Sequence, residues 1–246
     1  MTVTGKQIRI WLSEKALPLW SSAGLDSDAG GFFDDLTTSG EPIRNVPKRL
    51  RVQARQVYVF SHAHLLGWTP VPGHMAPLDA ATRGFNFMIE HYWRDDPGGF
   101  VYATGPDGTV RDPRIELYDQ AFVVLACAWY FRACGDDRAK TWAARVIRFL
   151  DTNLADNANG GFFDNLSHDL PRRQNPHMHL LEALLALHQA TGNEDALTRA
   201  RSLVMLFRQR FLDEDSGTLG EFFDVGWNPA ITTVGDIVEP GHHDRK

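Results

Sequence analysis

The segment Gly30-Gly31-Phe32-Phe33-Asp34 recurs as Gly98-Gly99-Phe100-Val101-Tyr102, Gly160-Gly161-Phe162-Phe163-Asp164 and Gly220-Glu221-Phe222-Phe223-Asp224. A repeat with a period of about 60 to 68 residues restricts the chain to architectures assembled from copies of one supersecondary unit. Between successive copies lie two stretches of helical periodicity, so each unit reads as a helix, a glycine-led turn with a short extended piece, and a second helix. The spacing predicts helices over 5–20, 47–67, 75–93, 115–134, 136–153, 175–191 and 194–212, with an eighth opening at Pro240. Gly135-Asp136-Asp137 and Thr191-Gly192-Asn193-Glu194 have the chemistry of tight helix-to-helix joints, a C′ glycine followed by an N-capping side chain.

Helical hairpins cannot bury both faces alone; they stack as an open solenoid or close into a ring with an inner and an outer layer. Tetratricopeptide and HEAT-type repeats run shorter, about 34 to 47 residues. The longer period and aromatic turns favour an all-α closed ring, an α/α barrel with short β pieces at the glycine turns. Six hairpins of that size need roughly 370 residues. The 246 residues therefore hold about four of six, and with no Pro/Ser-rich linker the expectation is a single incomplete domain over 1–246.

Composition narrows the partners. With 25 basic against 31 acidic residues, a net charge of −6 and no long block of either sign, the chain offers no surface for tracking phosphates, and nucleic acid is not expected. The longest charge-free apolar run, Ala121–Phe131, is too short to span a bilayer, and residues 1–20 are broken by Lys6, Arg9, Glu14 and Lys15, unlike a secretion signal. Cys127 and Cys134 read as two small core residues in a reducing compartment, which makes the cytoplasm the expected location.

Four constellations carry potential chemistry. Arg51, Arg55, Tyr58 and His62 fall at i, i+4, i+7 and i+11 on one helical face. Either that stripe faces solvent with Val52, Val57, Val59 and Phe60 in the core, or it lines a polar cavity; the crowding of apolar residues on the other faces favours the cavity. Asn175, His179 and Glu182 share a face at i, i+4 and i+7, although Asn175 also has the chemistry of a helix cap with Pro176 at N1. His177 and His179 lie about 200° apart on a helix and cannot ligate one ion together. Tyr118-Asp119 opens an otherwise apolar helix, and Glu239-Pro240-Gly241-His242-His243 puts a histidine at a helix N-terminus, where the dipole favours neutral imidazole. No dinucleotide fingerprint, phosphate loop, nucleophile elbow or zinc spacing occurs, so neither cofactor nor metal is expected.

Val52-Gln53-Ala54-Arg55-Gln56-Val57-Tyr58, Tyr118-Asp119-Gln120-Ala121-Phe122, Asn175-Pro176-His177-Met178-His179-Leu180-Leu181-Glu182-Ala183 and Glu239-Pro240-Gly241-His242-His243 together resemble the N-acylglucosamine 2-epimerase family, which includes mannose isomerases, sulfoquinovose isomerase and cellobiose 2-epimerases. The resemblance implies an (α/α)6 barrel around a sugar pocket. In it Arg55 would hold sugar oxygens, His179 would bind substrate or assist ring opening, and His242 would be one of two acid/base histidines. Asn175, Glu182, Tyr118 and Asp119 would line or support the pocket. The implied reaction removes a proton next to a carbonyl, passes through an enediol and reprotonates at C1 or C2.

The family pattern continues Pro-Gly-His-x-x-Glu-Trp, whereas here Asp244-Arg245-Lys246 follow, with Arg245 at the acidic position. The reading is of a C-terminally truncated member, itself expected to be catalytically silent and prone to self-association through uncovered helix faces. The competing expectations are an inactive sugar-binding remnant and a glycoside hydrolase, for which Asp119 and Glu182 are the nominated carboxylates.

Overall fold

The glycine turns set the architecture. Gly31 has φ +67°, and a Cβ there would stand 2.7 Å from the Gln53 side-chain oxygen. Gly161 has φ +71° and would meet His177 Nε2 at 3.0 Å. Only glycine combines that left-handed backbone with so close an approach. Each of the first three turns is held by the inner helix that follows it. The Gln53 amide accepts from Phe32 N and donates to Phe32 O, both at 2.8 Å. Gln120 does the same for Phe100 at 3.1 and 2.8 Å. In the third unit His177 Nε2 accepts from Phe162 N at 3.0 Å while Nδ1–H donates to Arg173 O at 3.0 Å.

The computed structural model describes residues 4–230. The helix expected from Pro240, and His242 with it, lie outside the described residues. The first predicted helix, 5–20, is continuous but contains a π turn at Leu12–Ala16 between α1 (Gly5–Trp11) and α2 (Leu17–Trp20). Then follow β1 (Lys48–Arg49), α3 (Leu50–Leu65), α4 (Pro77–His91), β2 (Ala103–Thr104), β3 (Val110–Asp112), α5 (Leu117–Cys134), α6 (Asp137–Phe149), β4 (Arg172–Arg173), α7 (Gln174–Thr191), α8 (Glu194–Leu206), β5 (Leu212–Asp213), β6 (Thr218–Leu219) and β7 (Phe222–Phe223). α6 and α8 run on into π turns at Leu150–Leu154 and Phe207–Phe211.

The sheets are small: β1-β2-β3 antiparallel with Lys48 opposite Thr104, β4-β7 with Arg172 opposite Phe223, and β5-β6. The β1-β2 and β4-β7 pairs link neighbouring units. The first amide of each inner helix donates to a carbonyl of the next unit, Leu50 to Tyr102 at 2.8 Å, Leu117 to Asp164 at 2.9 Å and Gln174 to Glu221 at 3.0 Å. This explains one correction. Asn175 is not the cap of α7; the N-cap is Arg173, because the Arg172–Arg173 strand fixes where the helix begins.

α3, α5 and α7 pack side by side as an inner layer, and α4, α6 and α8 return behind them as the outer helices of three hairpins. The two tight joints form as expected. Gly135 and Gly192 take φ +71° and +70°, and Asp136 and Asn193 cap the helices that follow. α6 buries one stripe, Ala139, Ala143, Val146, Ile147 and Phe149. α5 has no polar face and is buried on nearly every side, between α3, α4, α6 and α7. One continuous apolar core runs from Leu25 to Trp227. Cys127 lies in it, where burial pushes the thiol up to about 12. Cys134, also expected in the core, is exposed on the last turn of α5.

Candidate functional site

Because the inner helices begin in register, positions equally far from each start face the same space. Counting from Leu50, Leu117 and Gln174, the sixth residues are Arg55, Phe122 and His179, and the ninth are Tyr58, Leu125 and Glu182. All six line an open cavity of about 780 Å³, together with Val59, Trp129, Leu185, Ala186 and Gln189. Val59, expected in the core, is therefore a wall residue, 37% exposed.

The polar groups of this cavity converge on two aromatic rings. Arg55 Nη2 donates to the Tyr118 hydroxyl at 2.5 Å, and its guanidinium lies 4.2 Å from the centre of Phe122. On the other side the His179 imidazole packs edge-on to Tyr118 at 5.1 Å and tilted on Phe122 at 4.6 Å. His179 Nδ1 is 2.9 Å from Glu182 Oε2. With the carboxylate accepting, Nδ1 carries a proton and donates it to Glu182. Burial, then the nearby Glu182 charge, raises the Tyr58 phenol above its ordinary range.

Further along the same face, Trp129 meets Tyr58 edge-on at 5.2 Å and His62 at 4.3 Å. Burial, then the nearby Arg132 charge, holds His62 below the usual imidazole range.

Asp119 and Asn175 are not on the wall. Asp119 is fully buried behind it, with its Oδ1 2.9 Å from Arg51 Nε, and burial pushes its carboxyl up to about 6 against the pull of Arg51. Asn175 sits on the first turn of α7. The structure thus brings Arg55, Tyr118, His179 and Glu182 together, places Asp119 and Asn175 at the helix starts beside them, and leaves His242 outside the described residues. Among the described residues no group of three His, Cys, Asp or Glu is placed to hold a metal ion, and no helix is long and apolar enough to cross a membrane.

Phe122, Leu125, Trp129 and Gln189 were not read as site residues from the sequence. The signal was present. Tyr118, Phe122, Leu125 and Trp129 repeat the i, i+4, i+7, i+11 spacing of Arg51, Arg55, Tyr58 and His62, but in an apolar helix it does not stand out.

The N-acylglucosamine 2-epimerase (GlcNAc 2-epimerase) family matches residues 31–244. The chain belongs to this family. Among its relatives, a protein named mannose-6-phosphate isomerase from Rhizobium meliloti (strain 1021) is 37% identical over 237 residues, covering 94% of this chain and 59% of the relative. A D-mannose isomerase from Thermobifida fusca is 29% identical over 224 residues, covering 89% of this chain and 53% of the relative. The solved cellobiose 2-epimerase from Spirochaeta thermophila DSM 6192 superposes with TM-score 0.82 at 29% identity, over 92% of this chain and 58% of that one. The fold is accordingly that of the (α/α)6 epimerase barrels across about three-fifths of their length.

Proposed function

We propose that this chain forms the sugar-holding part of an aldose 2-epimerase or aldose–ketose isomerase that works by proton transfer at carbon. The observation that carries the reading is the arrangement of Arg55 and the His179–Glu182 pair on opposite sides of Tyr118 and Phe122 at one cavity wall. Arg55 donates to the oxygens at sugar C1 and C2, where negative charge develops as the adjacent C–H is broken. His179, held by Glu182, exchanges a proton with the ring or carbonyl oxygen during opening. His242, one of the two acid/base histidines that the family resemblance implies, takes the C2 proton; reprotonation of C2 from the opposite face by the second histidine gives the epimer, while delivery of the proton to C1 gives the ketose. Asp119 and Asn175 brace the helix starts from which these groups project.

The wall suits an unphosphorylated sugar. Among the described lining residues Arg55 is the single Lys/Arg cation and Glu182 the single carboxylate, a balance that favours hydroxyls over a phosphate dianion. The apolar surfaces of Phe122, Leu125 and Trp129 match the C–H face of a pyranose. A glycosidase needs two carboxylates flanking the scissile bond; with Asp119 behind the wall, the described lining residues supply one carboxylate, Glu182.

The test is proton exchange at C2 of mannose, glucose and N-acetylglucosamine in deuterium oxide, followed by NMR. Exchange with at least one sugar is expected from a full-length protein that contains this chain, not from the 246 residues alone, and is expected to fall by about 100-fold or more in Arg55→Ala with the melting temperature unchanged, since Arg55 is exposed. Binding without exchange would favour a non-catalytic sugar binder, and glycoside cleavage would overturn the assignment.

A further inference from the structure

Arg51 lies one turn before Arg55 on α3 and is absent from the cavity wall. Its donors are engaged elsewhere. Nε reaches Asp119 Oδ1 at 2.9 Å, and Nη2 reaches Glu116 Oε2 and Asp119 Oδ2, each at 3.3 Å. Both tyrosines that flank the guanidinium stack on it, Tyr102 at 4.9 Å and Tyr118 at 4.7 Å to the ring centres. A buried Arg–Asp pair roughly breaks even in stability against an apolar replacement, so stability alone does not account for it. What the arrangement fixes is the plane of Tyr118, and the hydroxyl of that ring accepts the 2.5 Å hydrogen bond from Arg55 Nη2.

We propose that Arg51, anchored by Asp119 and Glu116, is a positioning residue: it locks Tyr118 so that the Tyr118 hydroxyl holds Arg55 in its sugar-binding rotamer. An exposed arginine that must order on binding loses much of its rotamer freedom, and one ordered in advance loses less. Arg51 thus acts on the sugar only through Tyr118 and Arg55. The inference rests on the reading of Arg55 as a sugar ligand, and the coupling itself can be examined without a sugar.

The two substitutions are Arg51→Lys, which keeps a cation for Asp119 but loses the planar stack and fork, and Tyr118→Phe, which removes only the acceptor. In the sugar-free protein, hindered rotation of the Arg55 guanidinium is read by NMR on selectively labelled arginine. Slow exchange of the Arg55 Nη signals is expected in the parent and fast exchange in both variants. Mannose affinity, by calorimetry, is expected to fall about 10-fold in each single variant, the scale of one charge-assisted hydrogen bond, and no further in the double variant. Multiplying losses in the double variant, or Arg55 Nη exchange unaltered by Arg51→Lys, would overturn the proposal. If mannose does not bind the parent protein, the functional reading fails, and the guanidinium rotation still decides whether Arg51 controls Arg55. Should Arg51→Lys lower the melting temperature enough to confuse that comparison, Tyr118→Phe, which leaves the Arg51 ion pairs intact, decides it through the same signals.

Discussion

The first and third glycine turns solve one structural problem with different residues. In the first, Lys48 Nζ joins Asp26 at 2.7 Å and Gly30 O at 2.8 Å, and Arg49 Nε joins Asp34 at 2.6 Å. In the third, Arg172 Nη1 joins Asp156 at 2.7 Å, its Nη2 joins Gly160 O at 3.3 Å, and Arg173 Nε joins Asp164 at 2.5 Å. A few residues further on, the likeness stops. Arg55 and Tyr58 on α3 stand where α7 has His179 and Glu182. The first and third turns share this chemistry because each must satisfy an equivalent buried carbonyl, Gly30 O and Gly160 O. The cavity face diverges because a site needs donor, base and apolar wall at different places around one ligand.

Removing the carboxylates tests that equivalence most severely. Asp26→Ala leaves Lys48 buried without its ion partner, and Asp156→Ala does so to Arg172. Side chains only 6% and 5% exposed make each loss about 3–5 kcal/mol by denaturant unfolding. Lysine can give up a proton in a dry setting and arginine cannot, so the third-unit variant is expected to lose more. The reverse order would mean that the two turns are not mechanically alike.

The clamp residues sharpen the comparison through pH. Burial, with a smaller contribution from Arg172, lowers His177 to about 3, whereas an unfolded histidine titrates near 6.5. Below about pH 6.5 the unfolded chain takes up the proton first, so stability present above that pH is lost as pH falls toward 3, with a slope approaching about 1.4 kcal/mol per unit. His177→Gln copies Gln53 and Gln120 and is expected to flatten the profile between about pH 6.5 and 4. Asp119, with a folded value of about 6 set by burial against Arg51, works oppositely, since its stability contribution falls as pH rises from 3.8 to about 6. Both proteins share that contribution, and it cancels in their difference. Identical slopes for the two proteins would show that His177 is not the buried neutral clamp described.

The smallest effect concerns the joints. Asp136 and Asn193 cap α6 and α8 from equivalent places, and alanine at either is expected to cost about 1 kcal/mol by thermal or denaturant unfolding. Asp136 is also 2.6 Å from Arg138, so only Asp136→Ala should show a loss that shrinks with added salt.

These contrasts show which features a sequence exposes. The hairpin array was legible because glycines 31 and 161 satisfy a backbone requirement no other residue meets, and a glycine-led aromatic segment recurs around them. Arg55, His179 and Glu182 were legible because polar residues at helical spacing interrupt otherwise apolar surfaces. Phe122 and Trp129 were hidden, since α5 is apolar all round and its wall-facing residues share the chemistry of its buried ones. The helix predicted over 47–67 begins only at Leu50 because the strand Lys48–Arg49 takes its first residues, whereas α7, predicted from 175, begins at Gln174 directly after the Arg172–Arg173 strand. The partner of Arg51 was hidden too, because Asp119 lies 68 residues away and a carboxylate in a first helical turn already has a local explanation.

The burial of α5 has a consequence in time. No residue in α1, α2 or the π turn between them is fully buried, so their amides can exchange with solvent through local fraying. The central amides of α5 have no such route, because freeing them requires separating helices on both sides. Their exchange is tied to the rarest openings of the molecule. Phe122, Leu125 and Trp129 are carried on that helix, so one face of the cavity is static on timescales over which the N-terminal segment opens and closes many times.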